Sequence, residues 1–197
     1  MTPRTSRITR ETRETRVTLS LSLDGSGAAT IDTGLGFLDH MLTALATHAR
    51  FDLELVCSGD LKVDDHHTVE DCAIVLGRAI DEALGAREGI ARFASMHAPL
   101  DESLARVVID CSGRPHASVD LGLVRDTIGS VACENITHFL VSLAINARIT
   151  LHADVIRGEN DHHRAEAAFK ALALALRDAF AIDPGGYSVP STKGTLS

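Results

Sequence analysis

The sequence predicts an α+β fold, internally duplicated, made of two β-β-α-β-α halves, each a small sheet with helices on one face, packed together. Strand-like alternation, as in Val17 to Leu23 (VTLSLSL), is interleaved with stretches at helical spacing, as in 37–49 (FLDHMLTALATHA). The order of these elements recurs in the second half of the chain, which is the pattern of two α+β units. The recurrence extends to letters. HMLTALATHARFDLEL at 40–55 aligns with HFLVSLAINARITLHA at 138–153, sharing the histidine, three leucines, an alanine and an Ala-Arg pair. A period this long marks a duplicated half-domain rather than a solenoid unit.

Taken in order, 17–23 is a half-buried strand, Asp24-Gly25-Ser26-Gly27 a turn, and 28–33 its returning hairpin partner. Residues 37–49 form a helix with Phe37, Leu38, Met41, Leu42 and Leu45 inward. Phe51, Leu53, Leu55 and Cys57 alternate as a strand closed by Ser58-Gly59-Asp60, and a helix from Asp65 to Leu84 follows, with Gly85 after its end. The second half repeats this with strands at 106–111 and 116–121, a helix at 134–146, a strand at 149–155 and a helix at 161–180. The chain therefore reads as one domain over 1–197: halves at about 11–86 and 103–182, a linker at 87–102 with room for a strand near 92–98, and a tail at 187–197.

Bulk properties narrow the function. With 45% hydrophobic and 23% charged residues, the chain reads as a soluble globular protein. A net charge of −8 argues against nucleic-acid or membrane-surface binding. There is no apolar run of about 18 residues, so no membrane span is expected. The opening MTPRTSRITRETRET has no apolar core and does not read as a secretory signal. Cys57, Cys72, Cys111 and Cys133 are scattered, without a C-x-x-C pair, and read as reduced, buried thiols in a cytoplasmic protein.

Histidine carries the chemistry. VDDHHTVED at 63–71 places His66 and His67 four and three residues before Glu70, and ENDHHRAEA at 159–167 repeats this with His162, His163 and Glu166. On a helix, either histidine of a pair lies one turn from its glutamate, yet adjacent rings diverge at about 100° per residue. Spacing therefore predicts that one histidine keeps the glutamate and the other serves a different metal, without saying which. Taken singly, such a pair is an ordinary surface feature. Two aligned copies, each with an upstream histidine on the preceding helix (His40 and His138), point to metal. Six imidazoles and two carboxylates divide into two sites of three imidazoles and one carboxylate, a donor set for a borderline divalent ion such as Mn, Fe, Co or Zn.

GFLDHML at 36–42, DDHHTVED at 64–71, ENDHHRAEAAFKALA at 159–173 and PSTKG at 190–194 closely resemble the imidazoleglycerol-phosphate dehydratase family of histidine biosynthesis, in its single-function form. The resemblance runs from about Arg13 to Gly194. It implies two divalent ions per subunit, most often Mn, one held by His40, His67, Glu70 and His162 and the other by His66, His138, His163 and Glu166. It also implies that these ligands meet between subunits of a large homo-oligomer of about 24 chains with closed symmetry. The implied reaction is dehydration of D-erythro-imidazole glycerol phosphate to imidazole acetol phosphate, through an imidazolate bridged by two metal ions. The carbon that loses its proton has no carbonyl beside it, so a ring held between two cations is needed as the electron sink.

The resemblance further matches Glu14 to an acid/base position and Arg92, Arg114, Lys170, Ser191 and Lys193 to phosphate-gripping positions. Without it, Glu14, Arg92 and Arg114 are ordinary surface charges, and the tail an ordinary chain end. Spacing adds that Lys170 lies one turn past Glu166, and that His48, two turns past His40, can face the same pocket as a substrate contact or proton carrier. His97, His116 and His152 have no partner copy and read as structural. Two rival readings fit the donors alone: another dinuclear metal hydrolase, and a non-catalytic protein glued into an assembly by metal.

Overall fold

The computed structural model describes residues 3–183, 185, 191 and 196. The first half runs β1 (Thr5–Glu11), β2 (Thr15–Ser22), β3 (Ala29–Asp32), α1 (Gly36–Ala49), β4 (Asp52–Gly59) and α2 (His66–Leu84). The second runs β5 (Phe93–Leu100), β6 (Ser103–Asp110), β7 (His116–Asp120), a short hairpin of β8 (Thr127–Ile128) and β9 (Val131–Ala132), α3 (Cys133–Asn146), β10 (Thr150–Arg157) and α4 (Asp161–Ala179). The class is α+β, and each half carries one leading strand more than the alternation rule finds. β5 fills the space for a strand near 92–98. β1 escapes the rule because its inward residues include Ser6 and Arg10, which are satisfied by particular partners: Ser6 Oγ donates to Ala79 O at 2.9 Å, and Arg10 pairs with Asp71.

The sheets share one topology, β1-β2-β4-β3 and β5-β6-β10-β7. All pairings in them are antiparallel except β3 with β4 and β7 with β10. This corrects the hairpin expected between 17–23 and 28–33. Both edges of β2 are already taken by β1 and β4, so β3 crosses to the far side of β4. Asp52 holds that crossing in place, its Oδ1 accepting the N–H groups of Ser26, Gly27 and Ala28 at 2.8, 3.1 and 3.0 Å.

Alternation in β2 and β6 sends Val17, Leu19 and Leu21, and Ala105, Val107 and Ile109, to the covered face. α2 lies on β1 and β2, and α4 on β5 and β6. The helices then pair across the halves, α1 with α4 and α2 with α3, burying one continuous apolar core. Each fully buried leucine in it contributes about 1.5–3 kcal/mol of transfer free energy. The repeated Ala-Arg pair has a structural purpose. Arg50 (φ 60°) and Arg148 (φ 52°) adopt the left-handed conformation that reverses the chain from α1 into β4 and from α3 into β10. All four cysteines are free and buried. Among the described residues, no helix is long and apolar enough to cross a membrane.

Candidate metal centres

Both His-His pairs open a helix. Asp64 Oδ1 accepts the N–H of His66 at 2.9 Å at the start of α2, and the Asn160 side chain caps α4 by accepting from His162 N at 2.9 Å. Adjacent rings stand edge to face, with ring planes 78° apart for His66 and His67 and 88° apart for His162 and His163. The preceding helices α1 and α3 deliver His40 and His138 to these helix starts.

Two separate groups result. In one, the ligand atoms of His40, His162 and Glu166 lie within 4.8 Å of one another; in the other, those of His66, Glu70 and His138 do. Glu166 Oε2 is 3.1 Å from His40 Nε2 and 3.2 Å from His162 Nε2, while Lys170 Nζ pairs with its Oε1 at 2.7 Å. Burial raises the Glu166 carboxyl, but hydrogen bonds from Lys170 and His40 outweigh it and bring the group down to about 2. Glu70 Oε1 is 3.0 Å from His138 Nε2, and the His66 and His138 rings stack at 5.1 Å. Phe37 packs edge-on against His162, walling the first group with an apolar ring.

The structure answers which histidine keeps its glutamate within one chain: His162 and His66 do. Their neighbours turn away. His67 Nδ1 lies 3.1 Å from Asp60 Oδ2 and its Nε2 3.7 Å from Glu14 Oε1. His163 Nδ1 lies 2.7 Å from Glu102 Oε2. The bond to Asp60 raises the pKa of His67 above its ordinary value against some desolvation, and the bond to Glu102 does the same for His163. Glu102 sits well below the ordinary carboxylate range, held there by the N–H of Asn160, by His163 and by the N–H of Glu159. The single-chain grouping also differs from the four-ligand sets that the resemblance implies. Glu70 stands beside His66 and His138, and Glu166 beside His40 and His162.

The remaining candidates are placed as follows. Glu14 sits in the β1–β2 turn, its side chain 53% exposed. His48 is exposed near the end of α1, and among the described residues no hydrogen bond or ring contact ties it to either group. Arg92 and Arg114 converge on one carboxylate: Arg92 Nε is 2.7 Å from Asp110 Oδ1, and Arg114 Nη2 is 3.9 Å from Asp110 Oδ2. Ser191 is half-buried in the tail, and Lys193 lies outside the described residues. Composition and spacing missed Asp60, Glu102 and Asn135, which hold the Nδ1 atoms of His67, His163 and His66, the last at 3.0 Å. Only Asp60, in the turn named after β4, lay close enough in sequence to be found.

The donor chemistry of both groups, neutral-capable imidazoles with a carboxylate, fits a borderline divalent ion. Comparison with known proteins places the chain in a family. The family model described as imidazoleglycerol-phosphate dehydratase matches residues 33–176. An imidazoleglycerol-phosphate dehydratase from Phytophthora nicotianae is 58% identical over 98% of this chain, which spans 43% of that relative's length. The Saccharomyces cerevisiae enzyme of that name is 57% identical, with 87% of this chain and 77% of the relative covered. The Pyricularia oryzae one is 52% identical, with 100% and 99% covered. Among solved structures, the Staphylococcus aureus dehydratase superposes with a TM-score of 0.82 at 38% identity, covering 90% of this chain and 99% of its own. That from Pyrococcus furiosus also reaches 0.82, at 36% identity, covering 96% and 100%. With the match spanning most of the chain and the duplicated histidine groups in place, the chain belongs to the imidazoleglycerol-phosphate dehydratase family, a family of carbon–oxygen lyases.

Proposed function

We propose that this chain dehydrates D-erythro-imidazole glycerol phosphate to imidazole acetol phosphate, a step of histidine biosynthesis, at a site that uses two divalent metal ions, Mn foremost. One observation carries the metal part of this reading: two imidazoles and a carboxylate converge twice, once where α1 meets α4 and once where α2 meets α3, each group one imidazole short of a three-imidazole, one-carboxylate set. The ligands are His40, His67, Glu70 and His162 for one ion, and His66, His138, His163 and Glu166 for the other. Each set draws on both groups of the chain. Pairing the His162–Glu166 face of one copy with the His66–Glu70 face of another supplies both sets at once. That requirement, together with the exposed Val63 (69%) and Val124 (79%), supports a homo-oligomer with its sites between subunits, of about 24 chains if it follows the family's closed shell.

When bound, the ions supply positive charge to the nitrogens of the substrate ring, so that the ring can accept electron density. The chain's own residues do the rest. Glu14, on a turn beside His67 and open to solvent, moves the proton between the substrate carbon and the departing hydroxyl. Lys170 balances the charge of Glu166 and extends cationic surface toward the substrate's phosphate. Arg92 and Arg114, gathered by Asp110, together with Ser191 and Lys193 of the tail, grip that phosphate. His48 contacts substrate from α1.

The test is a dehydration assay on imidazoleglycerol phosphate with elemental analysis before and after chelation, and with sizing of the assembly. Expected are about two ions per chain, activity lost with them and restored by Mn. Turnover unaffected by complete metal removal ends this reading. Phosphate release in place of dehydration favours a hydrolase.

A further inference from the structure

The turns that lead into β2 and β6 are equivalent places in the duplicated halves. In register, Val17 lies opposite Cys57 and Ala105 opposite Val155. Thr15 and Ser103 are each the first, buried residue of their strand. Each also lies against a glycine: a Cβ on Gly59 would touch Thr15 at 3.5 Å, an ordinary contact, and collide with Thr68, and one on Gly158 would collide with Ser103 and Arg164. The residue just before Thr15 is Glu14, and the residue just before Ser103 is Glu102. One carboxylate position thus occurs twice, and each copy reaches the second histidine of the neighbouring His-His pair.

The two contacts differ in kind. Glu14 approaches His67 at Nε2, 3.7 Å away. Glu102 takes His163 at Nδ1, 2.7 Å away, while its Oε1 accepts the N–H groups of Glu159 and Asn160 at 3.0 and 2.9 Å. His67 Nδ1 is instead held by Asp60, at 3.1 and 3.2 Å. The connections explain the exchange. The loop from Gly59 to α2 covers 60–65 and returns a carboxylate under His67. The loop from Gly158 to α4 covers only 159–160 and presents backbone N–H groups there, so the turn glutamate fills the place.

We propose that Glu102 and Asp60 are positioning residues, one for each candidate metal centre. Each accepts the Nδ1–H of the second histidine of its pair, and so directs Nε2 outward as a ligand atom. A neutral imidazole carries one N–H, and an acceptor fixed at Nδ1 selects the tautomer whose lone pair is on Nε2. Because Asp60 does this for His67, Glu14 is released from it and its carboxylate is free for substrate. The proposal rests on the metal reading above.

The experiment uses the full chain, loaded with Mn and dialysed against graded chelator, with metal content and thermal midpoint as readouts. At a chelator level where the parent keeps both ions, Glu102→Gln loses one and Asp60→Asn loses the other. Each loss corresponds to an affinity about 10–100-fold weaker, and the double variant loses both. The midpoint of the metal-free chain stays at the parental value in Glu102→Gln, since the amide oxygen still accepts from the 159–160 backbone. Parental retention of both ions in Glu102→Gln overturns the proposal. So does a metal loss accompanied by an equal fall in the metal-free midpoint, which marks Glu102 as a fold residue only. His163→Ala separates the levels: if it too keeps both ions, the metal reading itself fails.

Discussion

Arg10 of β1 and Asp71 of α2 form an ion pair beneath the first sheet, and Thr15 Oγ1 donates to the same Asp71 oxygen. The Asp71 side chain is only 6% exposed. Asp71 follows Glu70 directly, so the helix that carries a candidate ligand also anchors both strands of the hairpin whose turn carries Glu14. Thr12 tightens that turn, its Oγ1 accepting from the N–H groups of Glu14 and Thr15 at 3.1 and 3.0 Å. Breaking a buried pair costs about 3–5 kcal/mol. Arg10 is partly solvated, so Asp71→Asn is expected to lower unfolding stability by about 2 kcal/mol. It should also reduce kcat about 100-fold by displacing Glu14. Reduced stability with kcat intact would show that the hairpin does not position Glu14.

Glu14 itself makes a cleaner probe, because its exposed carboxylate supports nothing in the core. Glu14→Gln is expected to keep metal content, assembly and thermal midpoint at parental values. Turnover should fall about 10²- to 10⁴-fold, the usual loss on removing a general acid or base. A loss of metal instead would assign Glu14 to the ligand shell through its neighbour His67.

Much of this was legible in the sequence, for a physical reason. Apolar alternation and helical spacing report burial on one face, and β2, α1, β4, α2, α3, β10 and α4 each bury one face. The pattern fails where the inward residues are polar and paired over long sequence distances. Ser6 and Arg10 hide β1 in this way, and Glu102, 61 residues from His163, is invisible to any motif. Strand order was likewise illegible. β3 pairs with β4 because the edges of β2 are occupied and Asp52 collects the loop, which no local pattern encodes. The eight candidate ligands were legible because duplication wrote them twice. Their grouping within one chain needed coordinates.

Arg4 and Asp24 give a pH signature. Arg4 Nε is 2.9 Å from Asp24 Oδ2, and Arg4 Nη1 reaches Phe180 O at 2.6 Å, tying the chain start to the end of α4. The side-chain hydrogen bond from Arg4, outweighing desolvation, holds the Asp24 carboxyl below its ordinary 3.8. A group depressed on folding binds fewer protons in the native than in the unfolded state. Its stabilisation is therefore complete above the unfolded value and is lost as pH falls through the folded one. Asp24→Asn should lower the thermal midpoint at pH 7, with the difference from the parent vanishing as pH drops below 3.8. A constant difference across that window would mean that the carboxylate's charge is not what Arg4 recognises.

Gly77 tests the helix pairing that joins the halves. It lies mid-way along α2 where that helix meets the end of α3, and a Cβ there would come within 2.7 Å of Leu143 O and 2.9 Å of Ala147 N. Those are backbone atoms of a helix end, which cannot swing aside as a side-chain tip can. The same stretch of α3 accepts Arg87 Nη2 at Ala147 O, 2.9 Å away, so a shift of α3 would loosen that buried arginine as well. A bulkier residue gains at most a few tenths of a kcal/mol over glycine in helix propensity if it is β-branched, whereas overpacking a tight contact costs about 1–3 kcal/mol. Packing wins. Gly77→Val is therefore expected to lower unfolding stability by about 1–3 kcal/mol. Because α3 also carries His138, the variant should weaken retention of the ion assigned to His66, His138, His163 and Glu166 before the other. Unfolding measured by urea titration, alongside metal content, checks both halves of the expectation. An unchanged midpoint would mean that α2 and α3 are free to separate without disturbing the core.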